Sequence, residues 1–155
     1  YVLRFAGRDR EEMNLVAEHL ALPGLRTALH DTAAEHGVRV HQFFVCPSKP
    51  ADEGSVTYEW VVEFDGAEPA DRGAFVASLD RRVADGSKIY AAARRNDSLL
   101  AMPLVTVLPK GTIESYVLDR LAFGQSKVVH TYADRRVPDA LLAYAAERPP
   151  GALHG

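Results

Sequence analysis

One cysteine, Cys46, stands in the 155 residues, so no disulfide can staple the chain internally. It lies in the apolar run Phe43-Phe44-Val45-Cys46. A free thiol there acts as a small hydrophobe, and the expectation is a buried structural thiol in a reducing compartment, the cytoplasm. Positive charge is scarce too: Lys and Arg number 18 against 21 Asp and Glu, a formal net charge of −3. No broad basic field exists to neutralise phosphates, so nucleic acid is not an expected partner. The pairs Arg81-Arg82, Arg94-Arg95 and Arg135-Arg136 each have Asp or Glu nearby and read as solvated helix faces or loops. No apolar run approaches the roughly 20 residues of a membrane span, and no signal peptide opens the chain, so no membrane is expected either.

Chemical motifs are equally sparse. There is no GxxxxGK[ST] loop, no GxGxxG after a strand and no GxSxG elbow. The six histidines do not pair with a cysteine or with one another at zinc-like spacing on one element, so single satisfied or exposed histidines and no metal are expected. Glu59 and Glu63 share a strand face, but their period fits a solvent face. Tyr58, Trp60 and Phe64 on the other face read as core, since no basic flank accompanies them.

What is present is a core and a regular order of elements. An apolar content of 47% and one domain's length imply that folding hides about two thirds of the unfolded surface. The chain does not start with Met. It opens on Tyr1-Val2-Leu3-Arg4-Phe5, alternating as a strand does, which suggests a cut or a leader ahead of it. Met13 to Val16 reads as a short strand. Pro23 suits the first turn of a helix in which Leu25, Leu29 and Ala33 recur every four residues, and Gly37 stops it.

Val38 to Cys46 reads as a strand with Val38, Val40, Gln42 and Phe44 on one face. Thr57 to Asp65 follows, with Tyr58, Trp60, Val62 and Phe64 inward and Glu59, Glu63 and Asp65 outward. Ala70 to Ala84 carries a helical stripe of Phe75, Val76, Leu79 and Val83, and Ser87 to Arg95 continues as helix. Leu104 to Leu108 is a strand. Thr112 is placed to cap a helix holding Ile113, Tyr116, Val117 and Leu121. Phe123 to Arg136 is less regular, Pro138 starts a last short helix, and residues 149–155 read as a flexible tail. The fold class is therefore α+β. From Met13 the order is β-α-β-β-α-β, the split pattern of a ferredoxin-like mixed or antiparallel sheet with helices on one face, an extra N-terminal strand and C-terminal helices.

Two segments lack an evident structural need: Gly7-Arg8-Asp9-Arg10-Glu11-Glu12-Met13-Asn14-Leu15 and Gly124-Gln125-Ser126-Lys127-Val128-Val129-His130. Gly124 permits close backbone approach to a ligand, and Lys127 is a point charge that, on physics alone, reads as an ordinary exposed lysine. Together with Tyr90-Ala91-Ala92-Ala93-Arg94-Arg95 and Leu104-Val105-Thr106-Val107-Leu108-Pro109-Lys110-Gly111-Thr112, these strings resemble the C-terminal domain of the auxin-responsive Gretchen Hagen family. Those proteins are acyl-acid amido synthetases of plants, with bacterial relatives, within the adenylate-forming enzymes. The likeness runs through nearly the whole chain in the same order. Departures are Ala17-Glu18-His19-Leu20 where the family commonly has Gly-Glu-Lys-Leu, Val129-His130 where it has Pro-Arg, and Ile113 where Phe is common.

The resemblance implies that residues 1–148 are a lid domain closing over an N-terminal domain that binds ATP, Mg2+ and a small carboxylic acid. The acid would become an acyl-adenylate and pass to an amine or amino acid. It makes Lys127 the catalytic candidate, a cation facing charge that builds on phosphate oxygens. Arg8 either approaches the ribose or forms a structural salt bridge. Gln125 either orients Lys127 or caps the preceding helix, and Asn14 is a further nucleotide-binding candidate. By itself the lid should catalyse nothing. Two other readings stand beside it: a non-catalytic ferredoxin-like ligand-binding or dimerisation module, and the lid of an acyl-CoA ligase.

Overall fold

The computed structural model describes residues 12–13, 20–48, 56–95, 99–120 and 128–147. Two short strands, β1 (Glu12–Met13) and β2 (Leu20–Ala21), pair antiparallel. Helix α1 (Leu22–Glu35) follows at once, with Pro23 in its first turn, where a missing N–H costs nothing. It ends where expected: Gly37 takes φ 72°, and the N–H groups of Gly37 and Val38 donate back to the carbonyls of Ala34 and Ala33.

The main sheet has the order β3 (Val40–Pro47), β4 (Tyr58–Phe64), β5 (Leu104–Leu108). β3 and β4 are antiparallel, whereas β4 and β5 are parallel, joined through α2 (Arg72–Gly86) and α3 (Lys88–Arg94). Asp71 and Ser87 cap those two helices, accepting from the N–H groups of Ala74 and Tyr90 at 3.0 and 3.1 Å. After β5 come α4 (Thr112–Arg120) and α5 (Arg136–Glu147). The α+β class, the mixed sheet and the ferredoxin-like order of elements are as expected. The opening strand at Tyr1–Phe5, the rest of the Met13 strand and the 149–155 tail lie outside the described residues.

One core lies beneath α1, α2 and α3. It joins Leu25, Leu29, Phe75, Leu79 and Tyr90 to Phe43, Val45, Tyr58, Trp60, Val62 and Phe64 from the sheet. The aromatic residues of β4 are thus core, as expected. The expected parity of β3 is not observed. Between Val40 and Gln42 the register against β4 slips by one residue, a bulge, so Val40 packs on the same core as Phe43, and Phe44 turns to the other face.

That other face is the principal correction. The C-terminal helices α4 and α5 close over it with Ile113, Tyr116, Leu141 and Tyr144 against Phe44, Cys46, Val61 and Leu108. Every residue of β4 is buried, including Glu59 (9% exposed) and Glu63 (0%). The solvent face read from their period does not exist there. Only Asp65, past the end of β4, remains exposed enough to meet Arg39 and Lys110 at the surface.

Candidate functional site

Arg8, Asn14, Gln125 and Lys127 all lie outside the described residues, so the structure can be followed only up to the elements that flank them. Asn14 follows β1 directly. Residues 121–127 stand in sequence between α4 and Val128. From there residues 128–135 run as a strap along the outer edge of β3.

The strap is held at successive positions of β3. Val45 donates its N–H to the His130 carbonyl at 2.8 Å, and Tyr132 donates to the Val45 carbonyl at 2.9 Å, a parallel bridge centred on Thr131. The His130 ring stacks on Phe43 with centroids 4.7 Å apart, and its Nδ1 lies 2.8 Å from the Phe43 carbonyl. Because that carbonyl only accepts, Nδ1 carries the proton. Tyr132 meets Phe44 edge to face at 5.4 Å. At the far end Arg135 donates to the Pro47 carbonyl (2.8 Å) and to Glu59 Oε1 (2.7 Å), and pairs with Asp139 at 2.9 Å.

Glu59 and Arg135 form a largely buried ion pair, with side chains 12% and 14% exposed. Thr106 donates to the second Glu59 oxygen at 2.6 Å, so both oxygens are satisfied. Arg135 is therefore not on a solvated loop, and Arg94 departs from that expectation as well. It is 11% exposed and holds Asp80 through Nε and Nη2 at 2.8 and 3.0 Å, while Tyr90 donates to the same carboxylate at 2.7 Å. Arg82, by contrast, pairs with Glu35 in the more open setting the sequence suggested.

Glu63 has a different role. Its oxygens accept the N–H groups of Gly111 (2.9 Å) and Ile113 (2.7 Å), capping α4 from a distant strand. Thr112, expected to be the cap, instead donates its hydroxyl to the Pro109 carbonyl. Burial pushes the Glu63 carboxyl above its ordinary range, against the pull of the Ile113 and Gly111 donors. Cys46 is buried completely, as expected. Burial, reinforced by the neighbouring Glu59 carboxylate, pushes its thiol up to about 12, so it is an inert packing group at neutral pH.

Among the described histidines, His36 meets Ser78 at 3.1 Å and His41 meets Glu114 at 3.3 Å, each on its own. Among the described residues no group of three His, Cys, Asp or Glu could hold a metal ion, and no helix is long and apolar enough to cross a membrane.

Sequence reading missed Glu59, Glu63 and Arg135 as positioned groups. Glu63 meets the N–H groups of Gly111 and Ile113 across 48 and 50 residues, and Glu59 meets Arg135 across 76, so no local spacing announces these contacts.

Residues 24–136 match the family model of the GH3 family C-terminal domain. Among solved structures, the chain is similar to a GH3.15 acyl acid amido synthetase at 12% identity and a TM-score of 0.67, over 88% of this chain and 24% of that one. It is similar also to AtGH3.15 acyl acid amido synthetase in complex with 2,4-DB, at 13% identity and a TM-score of 0.67, over 86% and 25% of the two chains. The likeness at these identities is one of fold, and this chain spans about a quarter of the length of those structures. No curated protein matches it.

Proposed function

The chain belongs to the GH3 family as its C-terminal domain, and on that premise we propose that it is the lid of an ATP-dependent acyl acid amido synthetase in the cytoplasm. The match over residues 24–136 carries this reading, because it includes the main sheet, the strap and the 121–127 segment between α4 and the strap. Its partner is then its own N-terminal domain, which holds ATP, Mg2+ and the small carboxylic acid. ATP supplies the activation: the carboxylate oxygen attacks the α-phosphorus, pyrophosphate leaves, and an amine later displaces AMP from the acyl carbon.

On this chain the work is electrostatic. Carboxylate and phosphate are both anions, and the phosphate oxygens gain charge as they react, so a cation fixed in a water-poor site lowers the barrier by several kcal/mol. Lys127 supplies that ammonium group. Arg8, Gln125 and Asn14 join it as nucleotide-binding residues. This reading assigns the Mg2+ ligands mainly to the N-terminal domain.

The test is ATP–pyrophosphate exchange by the intact gene product with benzoate, indole-3-acetate, phenylacetate and short fatty acids in turn. At least one acid should support exchange. Lys127→Ala should lower it by about 100-fold or more while leaving the melting temperature nearly unchanged. Exchange at the wild-type rate in that variant removes the lysine from the mechanism, and no exchange with any acid removes the ligase reading.

A further inference from the structure

The two edges of the main sheet differ. The strap lines the outer edge of β3, whereas β5, at the other edge, pairs among the described residues with β4 alone. Soluble proteins commonly guard an edge strand with a charged side chain, lysine above all, or with a bulge. β5 has neither: its register against β4 is unbroken, and residues 99–109 carry no charged side chain. Apolar surface is open there, with Leu104 51% exposed and Leu99 and Met102 exposed just ahead of the strand. Val105, Thr106 and Val107 are only half-buried, unlike the residues of β4 beside them.

The strand also reads the same in both directions: Pro103-Leu104-Val105-Thr106-Val107-Leu108-Pro109 is a palindrome centred on Thr106. We propose that β5 pairs with β5 of a second copy, antiparallel across a two-fold axis at Thr106, joining two main sheets into one. A two-fold interface needs a patch that complements itself. In this register Leu104 faces the partner's Leu108, Val105 faces the partner's Val107, and Thr106 faces its own counterpart. Such apolar and β-branched pairs, directly opposite, are the stabilising unit of an antiparallel ladder. Neither Pro103 nor Pro109 has an N–H to donate, so the ladder closes at the same place on both sides and a slipped register is disfavoured. No like charges meet, because the run is uncharged and Lys110, just beyond it, is already held by Asp65 at 2.8 Å. The inference goes beyond the lid reading and does not depend on it; pairing through β5 leaves the strap edge free.

The experiment is sedimentation velocity on the intact gene product, which should have the mass of a dimer at about 10 µM. Leu104→Lys places an ammonium group opposite the partner's Leu108 at two symmetric points and should weaken dimerisation by about 30-fold or more. Leu104 is half exposed in the single chain, so melting measured on dilute, monomeric protein should be nearly unchanged. A second readout is cross-linking by a bifunctional thiol reagent of about 8 Å reach, with wild type as the blank, since Cys46 is buried and inert. Thr106→Cys should link, because its two copies lie opposite each other at about 5 Å between Cβ atoms. Leu99→Cys, exposed but seven residues from the axis, should stay single.

A wild type that stays monomeric at about 100 µM overturns the proposal. So does a dimer that Leu104→Lys leaves intact, or one that links through Leu99→Cys and not through Thr106→Cys. A monomer whose ATP–pyrophosphate exchange falls in Leu104→Lys has this edge covered by its N-terminal domain, which overturns the proposal as well. Should Leu104→Lys melt early, the cross-link decides alone: a Thr106→Cys dimer upholds the pairing and its absence ends it. Loss of the dimer in Leu104→Lys together with the Thr106→Cys link supports the pairing whatever exchange shows, so this inference and the ligase reading fail separately.

Discussion

Toward α1, α2 and α3, the central strand β4 presents Tyr58, Trp60, Val62 and Phe64. Toward α4 and α5 it presents Glu59, Val61 and Glu63. Both faces are buried, but by different physics. The first is held by area and shape: stacked and edge-to-face rings such as Phe43 on Trp60 and Phe64 on Phe75 hide large apolar surfaces. The second is held by matching, for each carboxylate oxygen there meets a donor: the Arg135 guanidinium, the Thr106 hydroxyl, and the two N–H groups at the start of α4. Burial and apolarity are thus separable. A carboxylate can sit inside a protein when donors reach it, and those donors then fix the position of the elements that carry them.

The sharpest way to probe the contrast is to damage the apolar face. Trp60→Ala removes a side chain 2% exposed and should cost about 4 kcal/mol, read as a lower urea midpoint with little change in slope. On the matched face the outcome should depend on how the pair is broken. Arg135→Ala strands Glu59 in the interior and should cost about 3 kcal/mol, whereas Glu59→Leu combined with Arg135→Met should regain most of that loss. If the double variant is as unstable as the single one, the pair is not buried in the sense argued above.

A smaller effect, about 2 kcal/mol, is expected for Glu63→Gln, because an amide offers one acceptor where two N–H groups need one each. Its pH dependence has a definite sign. Burial raises the Glu63 carboxyl, so the folded state binds that proton more tightly than the unfolded chain. The contribution is full below the unfolded value of 4.5 and declines as pH rises toward the raised folded value. Urea midpoints taken in pH steps should therefore show wild type and Glu63→Gln converging as pH increases from 4.5; divergence would mean that the donors outweigh burial.

The elements were largely legible because their signals are local. Pro23 and Gly37 bracket α1, and the Leu104–Leu108 strand lies where its apolar run placed it. The parity of β3 was not, since nothing in Val40-His41-Gln42 announces a bulge, whose register is set by β4. Charges misled in a consistent direction. Glu59, Glu63, Arg94 and Arg135 all looked like solvent groups, because an unpaired charge belongs in water and their partners are remote in sequence or hidden by folding. The candidate site was legible in another way. Lys127, Arg8, Gln125 and Asn14 came forward through resemblance, whereas on local chemistry Lys127 is an ordinary lysine.

By itself, then, the sequence determined the class of fold, the order of its elements, the aromatic core and the family, since each depends on short-range periodicity or on ordered motifs. Only the tertiary structure decided that the second face of the sheet is closed, which charges lie inside, and that a strap tied at His130 and Arg135 lines the outer edge of β3. Those outcomes depend on hydrogen bonds and ion pairs between residues 48 to 87 positions apart, whose formation is a property of the assembled chain and of no segment within it.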